Sequence, residues 1–392
     1  MKRNHIVLSL SFVLGLTLQS CSKKEKPINS FTSDQDTLKI QLTKVKGGGL
    51  FSLGFGVLNF DKYKNNIPTK IIKPKDIDSI QRYPLEVDLI DKKNTTYIEL
   101  LKGVKNGRPV FIVDQNNNKD LTDDPVREYK QMDFKNVEMI PVTYTILDGL
   151  NKVQDSSWLR MGKNYSSFLI GKNEHLRANF SFEGKKYSIQ AADPTFQGLN
   201  YLTFFSKIVL NSTPEMTKDS ISERDILQKG ELLNLNGTFY RFDSIANSGK
   251  FLALVKDQPI NKKTGTQIGM NAPDFSVLST EGERLNKDQL KDKITIIANS
   301  CGCGGDKEST QAVADVIDEF GDKLNVLQMD SAIKEKLNTY QIDIEVKENK
   351  AFYDTYRKMY CSRLVYVIGT DGTIVDKFSI FDWKEALPSI VN

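Results

Sequence analysis

Short apolar runs broken by glycine, asparagine and charged residues occupy most of this chain. Residues 38–42, 109–113, 178–182 and 240–242 are examples, rich in β-branched or aromatic side chains and in several cases followed by Gly or Asn turn signals. This pattern predicts a β-rich region over 37–255, built as one or two domains. A subdivision is expected near 215–225, where Pro214, Glu215, Lys218 and Asp219 interrupt the apolar positions. Helical spacing appears only later. Val313, Val316, Ile317 and Phe320 fall at i, i+3, i+4 and i+7, so 306–320 is predicted to be an amphipathic helix. The β-branched run 294–298 precedes it as a buried strand. Beyond it come a predicted strand at 324–329, helices at 332–340 and 350–359, strands at 364–368 and 373–378 around a turn at 370–372, and a terminal helix. Such alternation predicts an α/β sandwich over 268–392, joined to the β-rich region by a linker at 256–267.

The amino terminus carries a different pattern. Met1-Lys2-Arg3, an apolar stretch over 6–18 and Leu18-Gln19-Ser20-Cys21, followed by Ser22-Lys23-Lys24-Glu25-Lys26, predict a secretory signal over 1–20. The apolar stretch is shorter than the roughly 20 residues that span a bilayer, which favours cleavage. The small residue before a cysteine resembles the end of a bacterial lipoprotein signal. That resemblance implies lipidation of Cys21, a polar tether over 21–36 and stable attachment to a membrane of the bacterial cell envelope, facing periplasm or cell surface.

Charge adds little: 54 Lys and Arg stand against 50 Asp and Glu, for a formal +4, and no nucleic-acid partner is expected. The two histidines are His5, inside the predicted signal, and His175, so a His-rich metal site is excluded. Chemistry then falls to thiols, carboxylates and basic side chains. Of the four cysteines, Cys301 and Cys303 lie in Asn299-Ser300-Cys301-Gly302-Cys303-Gly304-Gly305-Asp306, between the 294–298 strand and the 306–320 helix. Free N–H groups at a helix N-terminus favour an anion, and a thiolate is the anion that does cysteine chemistry. Cys303, next to the first helical turn across two glycines, is the preferred nucleophile, and Cys301 competes with it. Asp306 opposes an ionised thiol there, whereas Lys307 favours it. The alternatives for these residues are a static disulfide with a spare thiol, or a soft-metal site.

The stretch Gly269-Met270-Asn271-Ala272-Pro273-Asp274-Phe275, the strand-cysteine-helix junction and Tyr366-Val367-Ile368-Gly369-Thr370-Asp371-Gly372-Thr373-Ile374 resemble the thioredoxin-like redoxins. These include the TlpA/ResA-type thiol-disulfide reductases and the AhpC/TSA peroxiredoxins. A β domain ahead of a redoxin also looks like a common lipoprotein layout of Bacteroidota. The resemblance covers 268–392 and implies a thioredoxin-like fold with no required cofactor. It further implies a membrane-anchored thiol-disulfide oxidoreductase, exchanging with protein thiols or disulfides and a periplasmic or envelope redox donor. Within that fold the loop before Leu364 lies beside the reactive thiols, which makes Cys361 the candidate resolving thiol for Cys303 or Cys301. Two departures stand out. Asp306 replaces the second cysteine of Cys-x-x-Cys counted from Cys303, and Arg363 takes the place of the usual cis-proline. Arg363, three before Tyr366, and Ser300, three before Cys303, are peroxiredoxin-like, so thiol peroxidase activity is the alternative. A catalytically degenerate thioredoxin-fold binding lipoprotein is the rival from another class.

A second chemical pattern lies in the β-rich region. Asp114, Asn116, Asn118 and Asp120 place oxygen side chains at alternate positions, Leu121 follows at the eighth and Asp124 closes the set. The arrangement resembles an EF-hand-type loop and suits structural Ca²⁺. Lys119 stands where such loops carry glycine and Pro125 where they carry the bidentate Glu, and the plain alternative is a solvated Asn/Asp turn.

Overall fold

The computed structural model describes residues 33–391, except 35, 64–69, 88–95, 135, 197, 202–205, 212–216, 219–220, 302–305, 332, 334 and 359–360. Cys21, Cys303 and the predicted signal lie outside the described residues. Among those described, the chain is strand-rich with few helices, and no helix is long and apolar enough to cross a membrane.

Alternation builds the first part. Met139–Asp148 alternates buried with exposed positions along most of its length, as a strand with one face on a core must. It pairs with Asn151–Asn164, which pairs with Ser167–Lys172, which pairs with Gly56–Leu58. A second antiparallel sheet, Asp78–Glu86, Tyr97–Lys105, Arg108–Val113 and Arg127–Glu128, shares its core of Ile98, Leu100, Phe111, Ile140, Tyr144 and Phe168. A separate core of Ile40, Leu176, Ile189, Phe242 and Leu254 joins two five-stranded sheets. Their strands include Thr37–Gln41 and Thr43–Lys46 at one end of the chain segment and Glu174–Phe182 through Phe251–Lys256 at the other. Residues 56–172 are therefore inserted between the strands of the other core. A uniform run of alternating strands carries no mark of such an insertion.

After residue 268 the architecture changes. We label β1 Ile294–Asn299, α1 Lys307–Phe320, β2 Leu324–Asp330, β3 Tyr340–Asp343, α2 Lys350–Tyr356, β4 Leu364–Ile368 and β5 Ile374–Ser379. The sheet runs β3-β2-β1-β4-β5, with β1, β2 and β3 parallel and β4 and β5 each antiparallel to their neighbours. Both faces are covered, which is why β1 reads as a continuous apolar run. Ile296 and Ala298 pack with Val313, Val316 and Phe320 of α1, while Ile297 packs with Phe352 and Tyr356 of α2 and with Phe275.

One element differs from expectation. The described residues within 332–340 contain no helix, and Tyr340–Asp343 is instead a parallel edge strand on β2. Tyr340, Ile342 and Ile344 alternate, the Thr339 hydroxyl donates to the Val326 carbonyl, and Gln341 Nε2 donates to Gln328 Oε1 at 2.7 Å. Pairing along β2 outweighs the helical preference of the preceding Lys-Glu-Lys-Leu segment.

Polar contacts join the two parts. Arg224 clamps Asp376 through Nε at 2.6 Å and Nη2 at 2.5 Å. Lys377, only 3% exposed, donates to the Ile226 carbonyl at 2.8 Å and faces Glu231 at 3.5 Å. Gln267, at the end of the predicted linker, exchanges two hydrogen bonds with the Leu232 backbone, at 2.6 and 2.7 Å.

Candidate functional site

The thiol site begins where β1 stops. Asn299 ends the strand with its Nδ2 donating to the Leu364 and Tyr356 carbonyls, at 2.7 and 3.1 Å, which ties β1 to β4 and α2. Ser300 follows, fully buried, donating to Asp330 Oδ2 at 2.5 Å and accepting from Gln328 Nε2 at 2.9 Å. The Cys301 N–H then donates to Ser309 Oγ at 3.0 Å, and Asp306 caps α1 by accepting from the Ser309 N–H at 3.2 Å. Ser309 thus fixes the end of the strand against the first turn of the helix.

Cys301 is joined to Cys361 by a disulfide across a sequence separation of 60. Their Cα atoms are 5.2 Å apart, inside the range that a disulfide spans. The two ends differ in access: Cys301 is 1% exposed, whereas Cys361 is exposed. Cys303 lies outside the described residues. Beneath the bridge sits Arg357, 2% exposed, donating through Nη1 to the Met329 carbonyl at 2.7 Å and the Ser300 carbonyl at 2.9 Å. Arg363 directs Nε to Asp306 Oδ2 at 2.5 Å. Burial pushes the Asp306 carboxyl up, but Arg363 and the Ser309 N–H outweigh it and hold the group below the usual carboxylate range. The cap therefore stays anionic, with Arg363 as its counter-ion.

Sequence reasoning named Cys301, Cys361, Arg363 and Ser300 but missed Arg357, Asp330 and Ser309. A buried Arg just past a short helix and a buried Asp at a strand end read as surface residues in any polar pattern. Only the apolar run of β2, which Asp330 ends, hints otherwise.

The oxygen-rich loop is built locally. Asn116 Oδ1 accepts from the Asn118 N–H at 3.1 Å, Asn118 Oδ1 from the Asp120 N–H at 2.7 Å, and Asp120 Oδ1 from the Thr122 N–H at 3.0 Å. Asp114 is fully buried, and its Oδ1, like Asp124 Oδ2, has no hydrogen-bond partner among the described residues. Lys119 adopts the left-handed conformation, φ 69°, that the turn demands at the glycine position. Its ammonium turns back onto the Tyr97 carbonyl and Asn117 Oδ1, and lies 3.4 Å from Asp114 Oδ2. Burial, with the charges of Asp114 and Asp123, pushes the Asp124 carboxyl up to about 6 against the pull of the Gln115 N–H and Arg127. Among the described residues, no three His, Cys, Asp or Glu side chains form a metal-holding group.

No protein-family model and no curated protein matches the chain. Solved structures match it over about 30% of its length. One is the thioredoxin domain of a thiol-disulfide oxidoreductase from Bacteroides vulgatus, 17% identical, covering 32% of this chain and 98% of that one, with a TM-score of 0.28. A second is a thiol:disulfide interchange protein from Bacteroides sp., 17% identical over 32% of this chain and 90% of that one, TM-score 0.28. A third is the pneumococcal exposed lipoprotein thioredoxin from Streptococcus pneumoniae, 18% identical over 30% of this chain and 98% of that one, TM-score 0.25.

Proposed function

We propose that 268–392 is a thioredoxin-like redox domain and that the chain is a thiol-disulfide oxidoreductase, anchored by lipid on Cys21 to the bacterial cell envelope. The observation that carries this reading is the Cys301–Cys361 bridge beside the N-terminus of α1, with one cysteine buried and the other exposed. A substrate thiolate attacks Cys361 Sγ, the bridge breaks, and the electron pair leaves on Cys301 Sγ, which takes up a proton. A second substrate thiolate then attacks the substrate sulfur of the mixed disulfide and expels Cys361 as thiolate. Two substrate thiols become one disulfide and the protein disulfide becomes a dithiol; run backwards, the dithiol reduces a substrate. Cys303 is the third thiol of the cycle, competing with Cys301 for Cys361. Arg363, already paired with the cap of α1, is the cation that stabilises the thiolate. An envelope location suits the chemistry because disulfides persist there.

The test is a trapping experiment. A Cys301→Ser, Cys303→Ser protein retains Cys361 without a resolving partner and is expected to accumulate a mixed disulfide with an oxidised protein substrate. If Cys361 captures nothing while the wild-type bridge resists every thiol, the reading fails and a static bridge in a binding lipoprotein replaces it. Sulfenic acid formed at Cys303 under peroxide is the outcome that favours peroxidase chemistry instead.

For the loop at 114–124 we propose structural Ca²⁺, which would draw together Asp114, Asp120 and Asp124, not gathered into one group in the structure described, with the amide oxygens of Asn116 and Asn118. The two buried carboxylate oxygens without partners support this reading. The Lys119 ammonium is the competing cation at Asp114.

A further inference from the structure

Cys361 does not open onto a flat surface. It lines a cavity of about 660 Å³ whose walls come from both parts of the chain: Arg357, Lys358 and Arg363 on one side, Lys207, Glu223 and Lys229 on the other. That volume is in the range of small-molecule sites. Among the described residues, basic side chains outnumber acidic ones in the lining, where Asp354 is the only acid besides Glu223. Asp354 is also spoken for, since Lys350 holds both its carboxylate oxygens at 2.7 and 2.9 Å. Lys358, in the left-handed conformation at φ 60°, places its ammonium 3.0 Å from Thr266 Oγ1. Lys207 and Lys358 thus line the same cavity as the exposed Cys361.

We propose that this cavity selects small thiols and disulfides that carry carboxylate groups, with their sulfur on Cys361 and their carboxylates toward Lys207 and Lys358. The inference rests on the thiol-exchange reading above and names its substrate class. The chemistry is the same balanced exchange: two anionic thiols give up two electrons to the Cys301–Cys361 bridge and leave as their disulfide. Positive potential focused in a cleft raises both the local concentration and the encounter rate of anions, by roughly tenfold or more at low salt.

Two measurements on the full mature chain separate this inference from the reading it rests on. The first is the rate at which 3-mercaptopropionate, 2-mercaptoethanol and cysteamine open the bridge, normalised per thiolate and for intrinsic nucleophilicity. The anionic thiol is expected to be about tenfold faster than the neutral one, with cysteamine slower still and the preference collapsing at high ionic strength. In Lys207→Gln and Lys358→Gln the anionic-to-neutral ratio falls toward one, and exposed Lys229→Gln is a third variant should either fold poorly. The second is binding of S-methylglutathione, which cannot exchange, against its diester; the free acid should bind more tightly in the wild type only. Equal normalised rates for all three thiols, with equal binding of acid and diester, overturn the substrate class and leave the oxidoreductase standing. A bridge that no thiol opens in the folded protein overturns both.

Discussion

The thiol site and the oxygen-rich loop are both chemical clusters on turns after strands, yet they are assembled in opposite ways. The loop is mainly local: Asn116, Asn118 and Asp120 each accept from the N–H two residues on, and its own Lys119 supplies a cation beside Asp114. The thiol site is long-range, joining Cys301 to Cys361 and resting on Asp330 and Arg357 from two further elements. A local cluster can be read from spacing but tolerates substitution. A long-range one is invisible to spacing and fails as a unit.

The largest test of that contrast is Cys361→Ser. Opening a cross-link between residues separated by 60 restores loop entropy to the unfolded chain, on the order of 4 kcal/mol. Urea unfolding of oxidised wild type against the variant should show a loss of that size. Arg357→Met comes next: it leaves the Ser300 carbonyl buried without this donor and the Met329 carbonyl with only the Ser300 N–H, a cost of about 2 kcal/mol, visible in the same titration. A variant as stable as wild type would mean that the bridge needs no buried support.

A smaller effect attaches to the cap. Asp306→Ala should cost about 1 kcal/mol at neutral pH through loss of the N-cap. Because the folded carboxyl titrates below the ordinary value of 3.8, its contribution is complete above that value and disappears as pH falls through the lower folded pKa. Wild type and variant should therefore converge in strongly acidic buffer; a constant gap would contradict the assigned ionisation. Smallest is Ca²⁺, which in millimolar excess over EDTA controls should raise the melting midpoint by about 2 °C. Lys119→Met should enlarge that response and Asp114→Asn abolish it. No response in either wild type or Lys119→Met would leave the loop a solvated turn.

The same contrast explains what the sequence discloses. Helix α1 is legible because Val313, Val316, Ile317 and Phe320 repeat at helical spacing, and β1 because an apolar run buried on both faces has few other uses. The edge strand at Tyr340–Asp343 is not legible, and the helix expected over 332–340 takes its first residue, since its partner β2 supplies the reason for it to be extended. The insertion of 56–172 into another core leaves no break in alternation. At the site, position next to the helix favours Cys303 over Cys301 as nucleophile, while the partner of Cys361 is not legible from spacing; the structure pairs Cys301 with Cys361, and Cys303 lies outside the described residues. Arg357 and Asp330 look like surface charges until the fold closes over them.

The most direct test of the central claim is a redox titration. Mature protein is equilibrated in a graded glutathione buffer, quenched by alkylation, and each cysteine is assigned by mass spectrometry. The account predicts that Cys301 and Cys361 open and close together, reversibly, in folded protein. A Cys301–Cys361 bridge that stays closed throughout the series, or opens only when the protein unfolds, would contradict it.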